Sequence, residues 1–163
     1  MAHTQHQFEF EIYDSDADLT RADQQLLAQA RQLCEQAYAP YSHFRVAAVA
    51  RTVAGHILHG TNQENASYPV GICAERTLLS ALSSVYPGEA IDTIAISYHN
   101  EQGDSSQPAS PCGICRQSLV EYEQRMQHPI RLLLSGQQGR VMIIRQATDL
   151  LPFSFTADDL LGK

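Results

Sequence analysis

Apolar positions change period along the chain, and each change marks an element. After Thr20, apolar side chains recur at helical spacing through Leu26, Leu27, Ala30, Leu33, Cys34, Ala37 and Tyr38. Thr20 with Asp23 three positions on reads as an N-cap, and Pro40 ends the helix. Cys34 sits on the apolar stripe and is read as a buried small hydrophobe. Residues 44–51 are rich in Val and Ala between charged ends, the pattern of a strand covered on both faces. Ala54-Gly55 turns that run into a second strand over 56–60.

A second helix begins near Cys73, with Leu78, Leu79, Leu82 and Val85 on its apolar side, and Pro87-Gly88 stops it. Residues 91–98 read as a central strand and 112–124 as a third helix. Residues 130–134 and 140–145 flank Ser135-Gly136-Gln137-Gln138-Gly139, which predicts a closing hairpin. The alternation of Phe8, Phe10, Ile12 and Tyr13 with acidic positions fits an edge strand or an ordered arm. Residues 100–111, rich in Gly, Ser, Gln and Pro, predict a solvent-exposed loop. Strands alternating with helices, with no internal repeat, indicate an α/β layered sandwich.

Length and charge narrow the class. At 163 residues the chain is expected to be one domain over 1–163, with 1–19 as an N-terminal extension. The first twenty residues hold no continuous apolar run, so neither a secretory signal nor a membrane segment is expected, and the address is cytoplasmic. A net charge of -7 would repel a phosphate backbone, which argues against nucleic acid as partner or substrate. The same charge also serves solubility.

Four cysteines in a chain of this length make no disulfide scaffold, and a spaced cluster is better read as metal ligands. Cys112-x-x-Cys115 puts two sulfurs one helical turn apart, and Cys73 is the obvious third donor. Three protein ligands leave a fourth position open, as in a catalytic zinc site. Glu75, two residues from Cys73, is placed to move protons beside the ion. A structural zinc, or three buried thiols, is the plainer alternative. His56 and His59 have no partner motif and read as surface or strand-end residues.

Cys73-x-Glu75 followed by Pro111-Cys112-x-x-Cys115 has the form of the zinc nucleobase deaminases. Three further stretches narrow the match: Tyr38-Ala39-Pro40-Tyr41-Ser42-His43-Phe44; Asn62-Gln63-Glu64-Asn65-Ala66-Ser67-Tyr68-Pro69; and Leu150-Leu151-Pro152 followed by Phe155. Together, over about residues 38–161, the chain closely resembles the homotetrameric cytidine deaminases. The resemblance implies a three-layer α/β/α sandwich on a five-stranded mixed sheet with helices on both faces. It also implies zinc-dependent hydrolysis of cytidine and 2'-deoxycytidine to uridine and 2'-deoxyuridine with release of ammonia, as in pyrimidine salvage.

By the same resemblance, Asn62 and Glu64 hydrogen-bond the ribose hydroxyls, and residues two apart on an extended segment do face the same way. Phe44 forms a pocket wall, Ala74 offers backbone groups to the pyrimidine edge, and Tyr68 lies at a site shared between subunits. Phe155 reaches a neighbouring subunit's site, and Arg76 hydrogen-bonds the ligand sulfurs. Two positions depart from the family pattern: Arg45 where proline is usual and Ala47 where glycine is common, both bearing on pocket shape. Alternatives are a deaminase of another cytosine-containing or modified nucleoside and a non-catalytic zinc-stabilised binding protein.

Overall fold

A computed structural model describes residues 1–162, and its elements follow the periodicities closely. They are β1 (Phe10–Tyr13), α1 (Arg21–Leu33), β2 (Phe44–Thr52), β3 (Ile57–Thr61), α2 (Ala74–Val85), β4 (Ile91–Asn100), α3 (Gly113–Met126), β5 (Arg131–Ser135), β6 (Val141–Ile144) and α4 (Ala157–Leu161). One mixed sheet runs in the order β1-β6-β5-β4-β2-β3. The β4–β5 pair is parallel and the other neighbours are antiparallel, including the expected β5–β6 hairpin.

The sheet has six strands, not the expected five. The extra one is β1, which pairs with β6 from Phe10↔Ile144 to Tyr13↔Val141. It comes from the segment ahead of the part that carries the family resemblance, and it satisfies backbone groups that β6 would otherwise leave as an open edge.

Strand alternation divides the core into two clusters. Val49, Ala95, Leu133 and Ile143 pack with Leu26, Leu27 and Ala30 of α1. Their neighbours Ala48, Ile94, Ile96, Leu132 and Leu134 pack with Leu78 and Leu82 of α2 and Leu119 of α3. β2 is buried throughout Ala47–Ala50, as its composition predicts.

Three local expectations are corrected. α1 ends at Leu33 and tightens into a 3-10 turn over Cys34–Gln36. Pro40 disfavours helical backbone just before it, and Tyr38 leaves the apolar stripe to lie half exposed. Val85, at the last turn of α2, faces solvent. The loop to Cys112 is only partly exposed: Ser105 Oγ accepts from Asn100 N at 2.9 Å, and Pro111 is buried. His56 and His59 are exposed. Among the described residues, no helix is long and apolar enough to cross a membrane.

Candidate metal centre and pocket

Two helix N-termini converge on the sulfurs. Cys73 is the N-cap residue of α2, Cys112 that of α3, and Cys115 follows one turn later. Neither N-cap side chain is spent on capping its own helix. The three Sγ atoms lie within 4.8 Å of one another. Cys73 and Cys112 are 3.8 Å apart and Cys112 and Cys115 are 3.4 Å apart. A tetrahedral ion with Zn–S bonds near 2.3 Å requires sulfurs about 3.8 Å apart, so the donor set fits zinc in spacing and in chemistry. A hydrogen bond from Cys115 pulls the Cys73 thiol down to about 6, and burial only partly opposes it. Cys115 is correspondingly pushed up by its bond to Cys73 and by burial.

The convergence has identifiable supports. A Cβ on Gly60 of β3 would lie 2.3 Å from Leu78 N and 2.6 Å from Ala74 O, so only glycine lets α2 settle this close to the sheet. Arg116 donates from Nε to Pro111 O at 2.9 Å and from its terminal nitrogen to Leu150 O at 3.3 Å. It thereby fixes the turn ahead of Cys112.

Glu75, in the first turn of α2, is only 5 % exposed. Burial raises its carboxyl pKa above the ordinary range, although its own backbone N–H and the nearby Cys115 side chain work the other way. Cys73, Ala74, Glu75 and Cys112 border a cavity of about 350 Å³, which Phe44 and Asn62 also line. Asn62 accepts from Val46 N at 2.7 Å and donates to Phe44 O at 2.9 Å, stitching its own segment to β2.

Other expected residues lie elsewhere. Glu64 and Tyr68 border an adjoining hollow of about 360 Å³ with Tyr41 and Ser42, and Ser42 lines both spaces. Glu64 accepts from Tyr41 N at 2.8 Å and Ser42 N at 3.3 Å, both on Oε2. Burial pushes its carboxyl up, but the bonds from Ser42 and Tyr41 outweigh that and leave it below the usual range. Tyr68 is exposed and meets Tyr41 edge to face at 5.9 Å. Phe155 is exposed and borders neither space; its carbonyl accepts from Gln117 Nε2 at 2.7 Å. Arg76 borders a groove between α2 and α3, close enough to lower the Cys73 pKa through its charge.

The two departures do not touch the cavity. Phe44 and Val46 point into it, so by strand alternation Arg45 and Ala47 face the α1 side. Arg45 is held there by the Glu35 carbonyl and the Glu101 carboxylate. The effect on pocket shape expected from these two positions is thereby removed. Conversely, Ser42, Val46, Ile96, Tyr98, Ala109 and Ser110 line the cavity without having been given a site role from the sequence. For Ile96 and Tyr98 the signal was the period-two pattern of β4, which names a face but not what lies over it.

Residues 20–127 match the family model described as the cytidine and deoxycytidylate deaminase zinc-binding region. The chain is 38% identical over 137 residues to a cytidine deaminase of Halalkalibacterium halodurans, covering 84% of this chain and 96% of that protein. It is 35% identical over 138 residues to a cytidine deaminase of Mycobacterium tuberculosis, covering 83% and 90%. Among solved structures, a cytidine deaminase from Burkholderia pseudomallei superposes with a TM-score of 0.69 at 39% identity, covering 84% of this chain and all of that one.

Proposed function

The chain belongs to the cytidine deaminase family, and from that premise we propose how its own residues divide the work of deaminating cytidine and 2'-deoxycytidine. The enzyme is a zinc hydrolase acting on the C4 amine of a cytosine nucleoside. Cys73, Cys112 and Cys115 hold the ion. When bound, zinc acts as a Lewis acid that brings the pKa of a water toward neutrality.

Glu75 accepts the proton from the attacking water and delivers protons to N3 and then to the departing amine. Its burial favours the neutral form more than water would, which suits a group that must alternate between acid and base. Ala74 presents backbone groups to the pyrimidine edge, and Phe44 forms the wall beside the base. Asn62 and Glu64 take the ribose hydroxyls, and the two protein bonds to Glu64 fall on Oε2, which leaves Oε1 for the sugar. Arg76 draws charge from the thiolates, as its influence on Cys73 supports.

The reading extends beyond one chain. Phe155 and Tyr68, exposed and outside the catalytic cavity, suit contacts with other subunits of a homotetramer. The fold is read as one domain, a three-layer sandwich with 1–19 as an extension that supplies β1. Free cysteines suit a reducing, cytoplasmic setting.

The observation that carries the proposal is a buried carboxylate two residues from a three-sulfur cluster, opening on one cavity. Glu75→Gln should keep one zinc per chain while turnover of cytidine falls by about 10²–10⁴-fold. Near wild-type turnover in that variant would remove Glu75 from the mechanism.

A further inference from the structure

We propose that Tyr98 is a positioning residue of the nucleoside pocket, backing the Phe44 wall with its ring and holding the opposite wall with its hydroxyl. The assignment rests on the cytidine pocket proposed above. Tyr98 follows Ile94 and Ile96 on the α2 side of β4, and Ile96 and Tyr98 both line the cavity. Its ring stacks on Phe44 with centroids 4.8 Å apart and planes 11° apart. That contact fixes the tilt of the aromatic wall, because Phe44 lies beyond the β2–β3 pairing, which begins only at Ala47.

The hydroxyl reaches the other side. Tyr98 Oη donates to Gln107 O at 2.9 Å, just ahead of Ala109 and Ser110, which line the cavity, and of Cys112. Further along, Arg116 holds Pro111 O at 2.9 Å. Residues 108–110 are thus strung between two side chains, Tyr98 on the pocket side and Arg116 on the cysteine side. Burial, reinforced by Asp104, raises the phenol pKa above its ordinary value, so the hydroxyl remains a donor at any working pH.

The test compares Tyr98→Phe and Tyr98→Leu with wild type as purified, zinc-containing enzymes, recording kcat, KM for cytidine, zinc content and Tm. Tyr98→Phe keeps the stack and loses one hydrogen bond. It should keep full zinc and nearly unchanged kcat while KM rises about three- to tenfold. Tyr98→Leu, which loses the stack as well, should raise KM further. An unchanged KM in Tyr98→Phe at full zinc would overturn the assignment alone. So would kcat falling in step with zinc content and Tm, because that is the mark of a merely structural residue. Wild-type enzyme without activity on cytidine would overturn the substrate reading and this assignment together.

Discussion

Cys34 and Cys73 carry the same thiol in opposite settings. Cys34 is fully buried on the α1 side, its sulfur facing Ala30 O and Ser97 O, and burial pushes its pKa up to about 11. Cys73 stands at a helix N-terminus, where the Cys115 bond brings it to about 6. In zinc-stripped protein near pH 7.5, Cys73 should hold more thiolate than Cys34, whose thiol stays mostly protonated. Brief alkylation followed by mass mapping should therefore label Cys73 well before Cys34; early labelling of Cys34 would contradict the assignment. At this scale the sequence was informative where chemistry is local: Cys73-x-Glu75 and Cys112-x-x-Cys115 carry their spacing in the chain itself. It was silent on Tyr98, whose partner Phe44 is supplied by the register of β2 on β4.

The helices that carry the site are held by backbone contacts as much as by apolar faces. At Gly60 the obstacles to a side chain are main-chain atoms of α2, which cannot rotate aside. Gly60→Ala should force α2 off β3, costing about 1–3 kcal/mol and displacing Cys73 and Glu75 with it. Urea unfolding alongside cytidine turnover checks this, and a variant with unchanged stability and activity would contradict the close approach. Periodicity located α1, α2 and α3 but placed the end of α1 too late, because the approach of Pro40 outweighs a continuing apolar stripe. The alternation at residues 8–13 fits an edge strand or an ordered arm, and which edge it joins depends on where β6 ends up.

Across the whole molecule, α1 is tied to the sheet by Asp23, which is buried and accepts from Arg131 of β5 at 2.8 and 3.0 Å. Burial alone would raise the Asp23 pKa, but the Arg131 guanidinium outweighs it and the net shift is downward. The pair therefore stabilises the fold above the unfolded aspartate pKa of about 3.9, and the gain is lost as pH falls through the lower folded value. Asp23→Asn should cost about 1.5–3 kcal/mol at pH 7 and progressively less as pH drops below 4, as urea titrations at pH 7 and pH 3 would register. An equal cost at both would contradict the ion pair. The sixth strand is the largest departure from the five-stranded sheet that the resemblance implied, since a resemblance beginning near residue 38 carries no information about the segment before it. The site itself is a property of the whole fold, because Cys73 and Cys112 stand 39 residues apart and meet only once α2 and α3 lie side by side. Zinc-edge X-ray absorption on the purified protein tests that meeting most directly. Three sulfurs at about 2.3 Å with one lighter atom completing the shell is the expected result; a four-sulfur shell, or one with no sulfur, would contradict it.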